Sequence, residues 1–545
     1  MPRNAPDRTD YDAVVVGAGF AGLYMLQRLR QLGLAVRGIE AGGDLGGTWY
    51  WNRYPGARCD IESMAYSYSW SDELQQEWTW SERYATQAEI LRYLNHVADR
   101  FDLRRHIEFG TRVTGATYSE AGDRWTIQSG RGDMLSATFL ILATGCLSVP
   151  RMPEIPGIER FTGPAHHTGL WPHEAVDFAG KRVAVIGTGS SAVQAIPLIA
   201  ADAEHVTVFQ RTPPFSVPSW NGPLDPDAVR ERKSHYAEYR QIARESSGAH
   251  AWHERSQSVF DESEEERTRE LEARYQVGGF YLASAYSDLF TDERANEVLA
   301  EFVREKIRQR VHDPDIAELL CPYSYPVATK RMCVDIEYYE AYNRDNVRLV
   351  SLAHSAIDEI TANGLRVDGE ELTFDLLVFA TGFDAMTGAL LALDIRGRSG
   401  RSLRETWADG ARSFLGLAIA GFPNLFTING PSSPSVLTNM IVSIEQHVDW
   451  IADCIKYARD RGFSSIEATH EAEEAWVSDV RRLGEKTLYP RADSWYMGAN
   501  IPGKPRVLLP YVGGAGRYRA ECERIAENDY SGFAFGSPAV QRDDY

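Results

Sequence analysis

A short β-branched run that breaks into a glycine-spaced turn occurs near the start of this chain and again far downstream: residues 12–22 read DAVVVGAGFAG and residues 181–192 read KRVAVIGTGSSA. In a Gly-x-Gly-x-x-Gly turn the first glycine permits the tight bend, the second lets backbone approach a pyrophosphate, and the third lets helix and strand pack closely. In the first unit these are Gly17, Gly19 and Gly22. Leu23, Leu26, Leu29 and Leu32 then recur at helical spacing up to Gly33, and a second strand, LAVRGIE, ends at Glu40. That acid lies about 20 residues beyond the glycines, where a carboxylate can accept from a ribose diol. In the second unit, Gly187, Gly189 and Ala192 are followed by a helix carrying Val193, Ile196 and Ile199, and the strand HVTVFQ ends in Gln210-Arg211-Thr212 instead of an acid. A guanidinium there suits a ribose 2′-phosphate; on these residues alone, an ordinary surface arginine remains the alternative. Two dinucleotide sites of opposite charge preference point to FAD in the first and NADPH in the second, with hydride passing between them.

Each unit also has a later strand ending in Ala-Thr-Gly, at Gly145 and at Gly382, suited to the far side of a doubly wound sheet. The fold class is therefore α/β, with two Rossmann-like doubly wound domains. Between them the chain turns helical and charged, as in DESEEERTRELEARY, which reads as a solvated helix face. The expected organisation is a discontinuous FAD-binding domain (1–146 and 384–545), a discontinuous NADPH-binding domain (147–224 and 327–383) and a helical insertion (225–326). In the last part a helix is expected over 441–457, and GANIPGKPRVLLPYVGG reads as loop and packing surface.

Charge and cysteine usage narrow the function. A formal charge of −20 is the wrong sign for holding a nucleic acid. The six cysteines show no paired short spacing, so neither a zinc site, a disulfide framework nor the redox pair of a disulfide reductase is expected. The polar N-terminus and the lack of a long apolar run lead us to expect a cytoplasmic protein without membrane attachment.

Between the two units lies FTGPAHHTGLWP, residues 161–172. It resembles the fingerprint FxGxxxHxxxW(P/D) of the type I Baeyer-Villiger monooxygenases, matching at Phe161, Gly163, His167, Trp171 and Pro172. Flavin N-hydroxylating and S-oxygenating relatives share its first part but usually differ where this chain has Trp171-Pro172. The resemblance extends to GGTWYWNRYPGARCDIES (46–63), TKR (329–331), YNRDNV (342–347), ATGFDAMTG (380–388) and SWYMGANIPGKPR (494–506), which look like phenylacetone and steroid monooxygenases.

In that family a reduced flavin captures O2 at C4a, and the deprotonated peroxide attacks a ketone; the tetrahedral adduct rearranges to an ester or lactone. Negative charge develops on the oxygens, and an arginine is a cation that keeps its proton. The resemblance implies that this arginine is Arg331, with Lys330 beside the nicotinamide cofactor and Asp60 orienting the arginine. Read from the residues alone, Asp60 would instead cap a helix beginning at Ile61. The resemblance further implies Glu40, Thr48, Trp49, Asp60, Tyr66 and Val113 around FAD, and Thr188, Gly189, Ser190, Ser191, Arg211 and Thr212 around NADPH. Trp495 would cover the bound nicotinamide cofactor. Gly163, His167 and Trp171 would couple the domains, and Leu437 and Met440, in the loop GPSSPSVLTNM, would line the ketone pocket. Trp49, Tyr66, Leu437 and Met440 could each be plain core without the resemblance. Phe20 and Cys333 depart from the usual pattern, and Cys333 could reshape the pocket. Two competing readings are a flavin N- or S-oxygenase, which would not need Arg331, and a non-catalytic NADPH-binding protein. Which ketone is used, and the oligomeric state, are not legible.

Overall fold

The DAVVV run lacks the alternation of a half-wet strand because both of its faces are covered: Ala13, Val14 and Val15 are fully buried. In a computed structural model that describes residues 9–536, this strand, Asp10–Val16, runs parallel between Val36–Ile39 and Met134–Leu142. The late chain returns to the same sheet, because Leu425–Thr427 adds in parallel to the end of Met134–Leu142 and Asp394–Arg396 adds to Val113–Ser119. Helix Met440–Asp460 then packs along helix Phe20–Gln31.

The second sheet is wholly parallel, in the order Val347–Ser351, His205–Gln210, Arg182–Ile186, Leu376–Phe379, Ala165–His167. In both sheets the strand leading to Ala-Thr-Gly lies directly against the first strand, on the flank opposite the second. The glycine turns require this placement. Gly17 has φ of 108° and Gly187 of 105°, and a Cβ on either would sit 2.4 Å from the Ala143 oxygen or 2.5 Å from the Ala380 oxygen.

Between 226 and 320 the chain forms helices Pro226–Ser234, Tyr236–Glu245, Glu264–Val277, Glu293–Arg310 and Pro314–Leu320. The charged run is solvated as expected, since Glu264–Val277 buries only Leu271, Arg274 and Tyr275. An antiparallel meander, Ile357–Ile360, Gly364–Val367 and Glu370–Thr373, was not anticipated. The two chain crossings between the sheets are laced together: Arg151 N–H donates to the Gly382 carbonyl at 2.8 Å, Asp384 N–H to Val149 at 2.9 Å and Met386 N–H to Cys146 at 2.7 Å. Among the described residues no helix is long and apolar enough to cross a membrane, and no cluster of side chains could hold a metal ion.

Candidate active site

The two glycine turns present backbone donors that the protein leaves open. Helices Phe20–Gln31 and Ser190–Asp202 begin after Gly19 and Gly189, with no side-chain cap and no acid in the first turn. Elsewhere the same chain caps its helices with Thr86, Asp225, Ser263, Asp292, Asp313 and Thr469. Uncapped N–H groups at a helix start attract phosphate through direct hydrogen bonds and the helix dipole. A Cβ at Gly189 would meet nothing within 4 Å, so the fold itself does not need glycine there, while a pyrophosphate approaching the backbone would. The residues fit two dinucleotides.

Glu40 ends its strand 5% exposed, with its carboxylate accepting Ala18 N–H at 2.8 Å and Gly42 N–H at 2.7 Å. Burial raises its pKa, and these donors oppose the rise. Thr48 is exposed at the start of helix Thr48–Trp51, and Trp49 Nε1 donates to the Tyr66 hydroxyl at 3.2 Å. Phe20, the departure in the first turn, packs edge-on against Tyr66 at 5.3 Å. Val113 is buried in the same core cluster as Val14, Val16 and Ile39.

In the second unit, Thr188 Oγ1 donates to the Thr212 carbonyl at 3.0 Å, fixing the glycine turn to the strand end that carries exposed Arg211. Ser190 and Ser191 form the first turn of the helix. Burial lowers the Lys330 pKa, and the nearby Arg211 guanidinium lowers it further. Two cations that disfavour each other's charge make a site for an anion such as a 2′-phosphate.

Arg331 lies where three parts of the fold meet. Its Nε and Nη2 donate to Asp60 Oδ2 at 3.0 and 2.6 Å, and its Nη1 donates to the Val436 carbonyl at 3.0 Å. Its guanidinium carbon sits 5.2 Å from the Phe280 ring centroid. Burial works against the charge, but Asp60, together with Tyr496 and Cys333, more than offsets this and holds the Arg331 pKa above its ordinary value. The Arg331 side chain is 28% exposed and that of Asp60 19%, so the pair is gripped without being fully sealed from its surroundings. No helix begins at Ile61, and the reading of Asp60 as a helix cap is therefore wrong: its carboxylate is committed to Arg331.

Leu437, Met440 and Trp495 share one apolar cluster with Cys146, Met386, Val436 and Tyr496. Cys333 is outside that cluster; it packs into the core of the second sheet, with Sγ 3.4 Å from Ser190 Oγ. His167 lies on the edge strand of that sheet, 4% exposed, with Nδ1 accepting Gly169 N–H at 2.9 Å and its ring 6.1 Å from Phe383 at the chain crossing. A Cβ on Gly163 would press on the Asp375 carbonyl, and Trp171 packs between His166 and Phe178. Reading the sequence missed the Val436 carbonyl, Phe280 and Tyr496. A backbone carbonyl carries no sequence signal, and one aromatic among 21 Phe and 26 Tyr does not stand out.

Residues 14–277 match the family model described as pyridine nucleotide-disulphide oxidoreductase. All six cysteines are free and buried, so the match is one of dinucleotide-binding architecture without a redox disulfide. A Baeyer-Villiger monooxygenase of Pseudooceanicola batsensis is 44% identical over 526 residues, covering 96% of each chain. Phenazine N-monooxygenase PhzNO1 of Lysobacter antibioticus is 43% identical over 535 residues, covering 97% of this chain and 98% of that one. The solved structure of an oxidized steroid monooxygenase bound to NADP superposes with a TM-score of 0.93 at 52% identity, covering 97% of this chain and all of that one. The paired dinucleotide turns, the fingerprint segment and this near-complete alignment lead to one assignment: the chain belongs to the type I Baeyer-Villiger monooxygenase family.

Proposed function

We propose that this protein inserts one oxygen atom of O2 beside a ketone carbonyl to give an ester or lactone, with FAD and NADPH as cofactors. The observation that carries the reading is the Arg331–Asp60 pair at the meeting point of both sheets and the insertion. When bound, FAD supplies oxygen activation and NADPH the hydride. The chain's own residues do the rest. Gly17, Gly19 and Gly22 with Glu40 hold one dinucleotide, and Gly187, Thr188, Gly189, Ser190, Ser191, Arg211, Thr212 and Lys330 hold the other. Arg331 keeps a fixed positive charge where the carbonyl oxygen becomes negative, without giving up a proton. Asp60 fixes the plane of that guanidinium, Leu437 and Met440 shape the apolar wall that receives the ketone, and Trp495, in the same cluster, covers the nicotinamide cofactor.

In this reading the FAD-binding domain comprises 1–146 and 384–545, the NADPH-binding domain 147–224 and 327–383, and the insertion 225–326. Every residue of the site comes from one chain, and six unpaired cysteines suit the cytoplasm. The N-monooxygenase relative favours a second reading, oxygenation at nitrogen, for which a fixed cation at Arg331 is unnecessary. Mass-spectrometric product analysis with NADPH and a panel of aryl, cyclic and steroidal ketones and aromatic amines tests both. The proposal expects an ester carrying one added oxygen; N-oxides alone would replace it with the second reading.

A further inference from the structure

Helix Ser190–Asp202, whose first turn faces the proposed NADPH phosphates, contacts residues two positions away from each member of the Arg331–Asp60 pair. Ser190 Oγ lies 3.4 Å from Cys333 Sγ, two residues beyond Arg331. One turn on, Gln194 clamps Arg58, two residues before Asp60. Its Nε2 donates to the Arg58 carbonyl at 3.2 Å, and its Oε1 accepts Arg58 N–H at 3.4 Å and the Tyr54 hydroxyl at 2.9 Å. Gly56 lies flush on the same helix, where a Cβ would come within 2.4 Å of the Gln194 carbonyl. The segment from Asn52 to Ser71 contains no helix and no regular strand, so side-chain bonds of this kind fix its path. Burial raises the Tyr54 pKa, which keeps its hydroxyl a donor.

Resting on the function proposed above, we propose that Gln194 is a positioning residue that transmits occupancy of the nicotinamide-dinucleotide turn to the loop bearing Asp60. A dinucleotide seated on Gly187–Ser191 orders the first turn of the helix. The three hydrogen bonds of Gln194 pass that order to Arg58 and Tyr54, and so to the carboxylate that holds Arg331. Oxygen insertion is thereby matched to a state in which the nicotinamide cofactor is in place.

Hydrogen exchange of the FAD-loaded protein, with and without NADP+, reads this directly. In the native protein NADP+ slows exchange at both 187–194 and 54–63. In Gln194→Ala it slows exchange at 187–194 alone. With NADPH and a ketone, the ratio of ester to hydrogen peroxide falls about fivefold in that variant while anaerobic flavin reduction keeps its native rate. Gln194→Glu, which retains an acceptor oxygen for Arg58 N–H and the Tyr54 hydroxyl but loses the donor to the Arg58 carbonyl, recovers part of both effects. Tyr54→Phe, which removes only one of the three bonds, moves both readouts in the same direction by less and serves where Gln194→Ala does not fold. Protection of 54–63 by NADP+ in Gln194→Ala equal to the native value, or no such protection in the native protein, overturns the inference. An unchanged ester-to-peroxide ratio in a variant of an ester-forming enzyme overturns this inference alone, whereas absence of ester from the native protein overturns the underlying function as well.

Discussion

Replacing Arg331 with alanine separates two things that the site does. The side chain makes two hydrogen bonds to Asp60 Oδ2 and one to the Val436 carbonyl, and lies against Phe280. Loss of a preorganised charge aimed at a developing oxyanion costs about 10²–10³ in rate. Folding suffers less. Asp60 and the Val436 carbonyl lose their partner at ~1 kcal/mol per bond, and the partial exposure of both charged groups, 28% and 19%, places the total at ~1–2 kcal/mol. The glycine turns, Glu40, Arg211 and Lys330 are untouched, so both dinucleotides still bind and hydride still passes. The assay runs in three parts on one preparation: anaerobic flavin bleaching by NADPH, ester by gas chromatography and hydrogen peroxide by a coupled peroxidase. Arg331→Ala should bleach at the native rate, lose ester by about two to three orders of magnitude and release its electrons as peroxide. Arg331→Lys should fall between, because an ammonium keeps the charge but cannot grip Asp60 with two coplanar nitrogens as the guanidinium does. Ester at the native rate in Arg331→Ala, or bleaching lost in step with ester, would refute the reasoning.

Other perturbations follow from the same geometry. Arg211→Ala should raise the KM for NADPH about tenfold and leave that for NADH nearly unchanged, since the guanidinium is assigned to the 2′-phosphate; steady-state kinetics with both cofactors checks this. Gly187→Ala, forced into φ of 105° with its Cβ 2.5 Å from the Ala380 oxygen, should lower the melting temperature of the apoprotein, whereas Gly189→Ala should melt as native and bind NADP+ more weakly. His447 is fully buried, with Nδ1 accepting Asn429 N–H and Nε2 unpartnered, and burial pushes its pKa down to about 3. Its folded pKa lies below its unfolded one, so the stability it permits is complete above the unfolded value and is lost as pH falls towards 3. Between neutral pH and pH 5 this amounts to ~2 kcal/mol, and His447→Asn should flatten that part of the melting-temperature profile.

The paired turns were legible because their chemistry is local: Gly17 and Gly187 are demanded by backbone carbonyls a strand away, Gly22 by the carbonyl of Gly17 in its own turn, and the acid or arginine that follows sits at a fixed strand end. The Arg331–Asp60 contact was not legible in that way. It joins residues 271 apart, and no periodicity or spacing relates them; only the family resemblance placed them together. Local reasoning about Asp60 went astray because a helix cap needs a helix, and the chain beyond Asp60 is irregular, held by tertiary bonds from Gln194 and from Arg83 to Glu62. The meander from 357 to 373 escaped notice because its strands are only four residues each, with the outer two partly exposed and no sustained hydrophobic alternation. Cys333 was read as able to reshape the pocket because it follows Arg331 closely in sequence, and its side chain instead packs in the core of the second sheet against Ser190.

The central claim is that oxygen from O2 enters a ketone under the control of Arg331. Turnover of a ketone with NADPH under 18O2 tests it most directly. The account predicts an ester carrying one 18O atom in the native protein and nearly none in Arg331→Ala. Unlabelled ester, or labelled ester formed equally by both proteins, would contradict it.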